Sequence, residues 1–142
     1  MKALNTVKIT FPSRSVNEGF ARSALSAFAA QADPTQDELA DVKTAVSEAV
    51  TNCIVHAYAN TIGPITLTAA LYEDGTLRVA VADKGCGIPD VSKAMEPLFT
   101  TGGAERAGLG FAVMESFMDS VKVRSAPGKG TRVTLSKRLG TR

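Results

Sequence analysis

Val79-Ala80-Val81-Ala82-Asp83-Lys84-Gly85-Cys86-Gly87-Ile88-Pro89 carries an apolar strand straight into an acid, two glycines and a proline. A buried strand has no packing reason to end on a carboxylate and then strip the side chains from the following turn. Asp83 reads as a fixed acceptor, while Gly85 and Gly87 let the backbone bend and let a flat group come close. Ile88 can cover one face of that group, and Pro89 stiffens the exit. An ordinary Asp-Gly turn is the competing reading, and this stretch alone does not exclude it.

Moving upstream, Ile65–Tyr72 and Thr76–Ala82 are two strands joined across Glu73-Asp74-Gly75, which makes them antiparallel neighbours. Before them, Leu4–Phe11 alternates as a half-buried strand, and Val16–Gln31 places Phe20, Ala24, Leu25, Ala27 and Phe28 at helical spacing. Ser15 or Asn17 is the expected cap of that helix. Thr35 with Glu38 forms a capping box that opens a longer helix, about Gln36–Tyr58, with the stripe Leu39, Val42, Val46, Ala49, Val50, Cys53 and Ala57. Glu48, Asn52 and His56 make a polar row away from that stripe.

Downstream, a short helix around Val91–Met95 and a glycine-rich lid through Thr100-Thr101-Gly102-Gly103 precede Gly108-Leu109-Gly110-Phe111, which is expected to open a helix to about Met118. Val121–Val123 and Thr131–Leu135 close the chain as a hairpin around Pro127-Gly128-Lys129-Gly130. The order is β-α-α-β-β-lid-α-β-β: an α+β domain with helices on one face of a mostly antiparallel sheet. With no repeat or linker in its 142 residues, the chain is expected to be one domain over 1–142.

The remaining composition narrows the function classes. Apolar residues at 44% and charged residues at 21% fit a globular fold rather than a disordered one. A net charge of +2 with scattered basic residues gives no expectation of direct nucleic-acid binding. No run is long enough for a membrane span, and Met1-Lys2-Ala3-Leu4-Asn5 lacks a signal-peptide core, so the expected location is cytoplasmic. Cys53 and Cys86 lack the spacing of a zinc site or a disulfide framework.

Taken together, the motifs describe a nucleotide. A carboxylate in an apolar slot suits the exocyclic amine of adenine. Glycines at a helix start let free N–H groups face phosphates, with the helix dipole favouring negative charge there. Thr100, Thr101 and Arg106 are candidate phosphate or closure contacts in the lid. Magnesium, which accompanies nucleoside triphosphates, takes oxygen ligands such as the Asn52 amide, and Glu48 one turn earlier can accept a proton from an attacking hydroxyl or water.

The combination Glu48-Ala49-Val50-Thr51-Asn52, Asp83-x-Gly85-x-Gly87-Ile88-Pro89, Pro97-Leu98-Phe99-Thr100-Thr101 and Gly108-Leu109-Gly110-Phe111 resembles the GHKL ATPase superfamily. Within it, the chain is most similar to the small bacterial anti-sigma factors with serine-kinase activity, their sporulation branch above all. Arg14–Arg22, Asp33-Pro34-Thr35 and Met114–Asp119 extend the likeness over nearly the whole chain. The resemblance implies a Bergerat two-layer α/β sandwich that binds ATP and Mg2+. It implies a homodimer that holds a sporulation sigma factor and phosphorylates a serine of its anti-anti-sigma antagonist. It also implies Glu48 as general base, Asn52 as magnesium ligand and Asp83 as adenine reader. Gly85, Gly87, Gly108 and Gly110 then shape the site beside Ile88, Thr131 reaches adenine through water, and Arg22 with Arg14 meets the protein partners.

The lid departs from the pattern: Thr101 is followed by Gly102-Gly103-Ala104-Glu105-Arg106 where relatives carry an early lysine. Lys84 stands where an acid is common, and Ala57 where glycine often follows the histidine. An ATP-binding module that sequesters sigma without phosphorylating anything, a general-stress anti-sigma serine kinase and a histidine-kinase catalytic domain are the alternatives. The absence of dimerisation helices argues against the last.

Overall fold

The computed structural model describes residues 2–88 and 103–140, with only the backbone of 103–109. Five strands form one antiparallel sheet: β1 Ala3–Pro12, β2 Pro64–Tyr72, β3 Thr76–Asp83, β4 Ser120–Ser125 and β5 Thr131–Arg138, in the order β1-β2-β3-β5-β4. Alternation sets the two faces. Ile65, Leu67, Ala69 and Leu71 of β2 point inward with Leu77, Val79 and Val81 of β3 and Val133 and Leu135 of β5, all buried. The same period carries Asp83 inward at the end of β3, opposite Ile65, so the carboxylate arrives on the side where the helices lie.

Three helices cover that inner face: α1 Val16–Ala29, α2 Gln36–Asn52 and α3 Gly103–Phe117. Leu25, Phe28, Val42, Val46, Val50, Phe111 and Met114 bury their side chains against the sheet's apolar face, forming one core between two layers. Phe20, read with the apolar stripe of α1, is exposed and sets its ring edge-on to Phe11, centroids 6.4 Å apart.

The helix termini follow local chemistry. Thr35 accepts the Glu38 N–H at 3.1 Å and the Glu38 carboxylate accepts the Thr35 N–H at 2.8 Å, the reciprocal box expected there. At the start of α1, Ser15 makes no side-chain cap bond; the Asn17 amide instead donates to the Pro12 carbonyl at 2.9 Å.

Two helix boundaries differ from the expectation. The long second helix keeps α geometry only to Asn52, then widens into a π turn over Cys53–Ala57, where the Tyr58 N–H reaches the Cys53 carbonyl at 3.0 Å. The third helix does not open at Gly108. It starts at Gly103 because Ala104, Glu105, Arg106 and Ala107 are good helix formers and extend it backward by more than a turn. The expected short helix around Val91–Met95 lies outside the described residues.

Candidate nucleotide site

The end of β3, the last turn of α2 and the π turn, α3 and the β4–β5 hairpin meet around one cleft. Its lining includes Asn52, Cys53 and His56 from the helical side, Asp83, Cys86, Gly87 and Ile88 from the strand end and its turn, and Phe111, Thr131 and Val133 from the far wall. The space between these walls, counted out into the open mouth, is about 430 Å³.

Asp83 is fixed by its neighbours. Its Oδ1 accepts the N–H of Gly85 at 2.9 Å and that of Thr131 at 3.2 Å, and the buried Cys53 lines the cleft with it. Burial first, and then the Asp83 charge, push the Cys53 thiol well above its ordinary range, so this sulfur stays a neutral, apolar part of the wall.

Glu48 and Asn52 stand one turn apart on α2 and converge on Gly110. A Cβ at Gly110 would lie 3.2 Å from the Asn52 amide oxygen and nitrogen and from a Glu48 carboxylate oxygen, so only glycine leaves that space open. The Asn52 Nδ2 is buried with no hydrogen-bond partner among the described residues, a cost that a bound polar group would relieve. An orphaned amide facing a side-chain-free notch fits a phosphate or its hydrated cation. No three His, Cys, Asp or Glu side chains cluster as a metal cage among the described residues. A magnesium ion here would therefore take the Asn52 oxygen together with phosphate and water oxygens, as that ion prefers.

The other glycines serve close approach of backbone first. Gly85 faces the backbone of Ala57 in the π turn, and Gly87, at φ +76°, faces the Ala126 carbonyl of the β4–β5 turn. Their missing side chains chiefly let three backbone segments meet, and of the two only Gly87 lines the cleft. Gly108 and Gly110 sit inside α3, so their N–H groups are not the free donors at a helix mouth; those belong to the first turn from Gly103. Arg22 pairs with Glu18 at 3.0 Å, and the Ser47 hydroxyl bonds the same Glu18 carboxylate. Arg22 also shares a surface groove with Lys43, Ser47 and Glu48, while Arg14 is exposed before α1. Thr100 and Thr101 lie outside the described residues, as does the side chain of Arg106.

Two positioning residues escaped the sequence reading. The Ser125 hydroxyl accepts the Ile88 N–H at 2.7 Å and meets the Gly130 carbonyl at 3.1 Å and the Thr131 hydroxyl at 2.8 Å. It thereby ties the glycine turn to the hairpin. The Tyr58 hydroxyl accepts the Lys84 N–H at 2.6 Å and donates to the Pro64 carbonyl at 2.7 Å, clamping the residue after Asp83. A serine at a strand end and a lone tyrosine carry no motif; only the proximity of Gly63, whose Cβ would strike the Tyr58 ring, is a trace of the second.

Residues 11–137 match the histidine kinase-like ATPase domain family. The chain belongs to that family. It is 56% identical over 141 residues to the anti-sigma F factor of Caldanaerobacter subterraneus subsp. tengcongensis, covering 99% of this chain and 98% of that protein. The anti-sigma F factor of Geobacillus kaustophilus is 50% identical over 136 residues, 95% of this chain and 93% of its own. These likenesses place the chain with the anti-sigma F factors of the family. The fold is shared with the RsbU and RsbW domains of Rv1364c from Mycobacterium tuberculosis, at TM-score 0.71 and 26% identity over 95% of this chain and 32% of that longer one. It is also shared with full-length ShkA in complex with AMPPNP, at TM-score 0.60 and 18% identity over 99% of this chain and 33% of that one.

Proposed function

We propose that this chain is an ATP-dependent anti-sigma factor and protein-serine kinase: it holds a sporulation sigma factor and phosphorylates a serine of an anti-anti-sigma antagonist. The observation that carries the reading is that Asp83 and Asn52 line one cleft while Asn52, together with Glu48, borders the side-chain-free notch at Gly110. Anti-sigma F relatives at 50–56% identity point to the sigma partner.

In this reading Asp83 accepts from the adenine amine, and Gly87, Ile88 and Phe111 enclose the ring. Asn52 would hold Mg2+, which would supply charge neutralisation at the phosphates. Glu48 takes the proton of the partner's seryl hydroxyl as that oxygen bonds the γ-phosphorus and the bond to the β-phosphate oxygen breaks, leaving ADP. Catalysis of this kind rests on positioning and charge stabilisation. Arg22 lies in the groove that also contains Glu48, which would bring a partner bound at Arg22 and Arg14 to the transferred group. The active unit is a homodimer.

The test is transfer of label from γ-labelled ATP to the purified antagonist. A Glu48→Ala protein should retain ATP and sigma but transfer about 10²–10⁴-fold more slowly; undiminished transfer removes the general-base role. If the parent binds ATP and sigma yet leaves no label on protein, the chain is a sequestering module instead. Labelling of a general-stress antagonist in preference to the sporulation one would move it to that pathway.

A further inference from the structure

The face of the sheet turned away from the helices carries no packed element among the described residues, and its chemistry is one-sided. Strand alternation places Lys8, Arg78, Lys122, Arg124, Arg132 and Arg138 on that face among Thr, Ser and Ala. Among the described residues no strand position on this face carries a carboxylate; Asp74, in the β2–β3 turn, borders it at the Tyr72 and Arg78 end.

The centre of this surface is Arg124 directly across from Arg132. Like charges opposed on neighbouring strands are destabilising, and neither guanidinium has a carboxylate within ion-pair distance among the described residues. Lys122 stands two residues along β4 on the same face, and Arg78 of β3 and these residues border a shared groove floored by Ser120, Thr134 and Ser136. No ion pair among the described residues offsets this arrangement, and an anion from outside would.

We propose that this uncovered sheet face, centred on the opposed Arg124 and Arg132, docks an acidic segment of another protein. Same-face residues along a strand repeat at about 7 Å, so an extended segment with carboxylates at alternate positions matches Lys122 and Arg124. Guanidinium pairs also favour bidentate carboxylates. A single-stranded nucleic acid would want aromatic stacking platforms, yet the one aromatic residue on this face, Tyr72, already has the Arg78 guanidinium 5.3 Å above its ring. A membrane surface would want apolar side chains to insert, and apart from Tyr72 the described residues of the central strands present none larger than alanine on this face. Neither Arg124 nor Arg132 lines the nucleotide cleft, although both border a neighbouring groove with Asp83 and Thr131, and the inference uses no step of the function proposed above.

The test compares the parent with an Arg124→Thr/Arg132→Thr variant. Its probes are a labelled peptide alternating glutamate and serine, an oligothymidine of equal charge, and phosphatidylserine vesicles. The peptide is expected to bind the parent best and to lose about tenfold in affinity in the variant, with ATP binding unchanged and thermal stability equal or higher because a repulsive pair is gone. Equal peptide binding by the two proteins overturns the proposal. So does tighter binding of the oligonucleotide or the vesicles, or a variant whose oligomeric state changes, which would make a second copy the occupant.

Discussion

Asp83 Oδ1 already holds the N–H groups of Gly85 and Thr131, so the carboxylate cannot turn to suit an incoming base. An Asp83→Asn chain keeps the Oδ1 bonds but puts donors where an adenine amine also donates. ATP affinity is expected to fall by about 1–3 kcal/mol, roughly 5–150-fold, with the fold intact; titration calorimetry measures it. Cys53 makes a different prediction. Its thiol is raised in the folded state, so below the ordinary thiol range both states are protonated and stability is unaffected. As pH climbs past that range, near ~8.5, the unfolded chain ionises first and stability falls until the folded thiol also titrates. Melting temperature should therefore drop more steeply on the alkaline side for the parent than for Cys53→Ala.

At the level of elements, what the sequence made legible was whatever depends on neighbours in the chain. The capping box of Thr35 and Glu38, the hairpin across Glu73-Asp74-Gly75 and the stripe of α2 are local patterns, and each lies where it was read. Thr35→Ala should cost about 1 kcal/mol through loss of the cap, seen as a shifted denaturant midpoint. The misread features depend on contacts distant in the chain. Gly85 looks like a ligand-facing glycine but meets the backbone of Ala57, while Gly87 lines the cleft and also lets the Ala126 carbonyl come close. The start of α3 was tied to Gly108 because glycine punctuates so many turns, while the helix formers before it decide the boundary. Gly110 in that helix faces Asn52 and Glu48, so Gly110→Ala should fold yet weaken ATP binding by about tenfold or more, since a methyl would crowd both polar groups; nucleotide fluorescence titration reads this.

Across the whole molecule, the α+β class and strand sequence were accessible from periodicity, because one buried face forces alternation along every strand. The order β1-β2-β3-β5-β4 was not, since which strand β5 joins is settled by packing between distant segments. Leu67 sits fully buried in the second strand, and Leu67→Ala should destabilise the domain by about 2–5 kcal/mol, measured by urea unfolding. The site shares that dependence on the whole: Asp83 comes from the sheet, Asn52 from a helix, and Thr131 from the closing hairpin.

The π turn over Cys53–Ala57 amounts to one surplus residue absorbed inside a helix. That surplus sets the phase in which Tyr58 emerges to hold Lys84. Deleting a single position between 53 and 57 would let ordinary winding resume and swing everything after it by about a quarter turn. The same deletion in the exposed segment 59–62 would leave that phase alone. Descendants of this gene should therefore show length variation in the loop and almost none in the five residues before it.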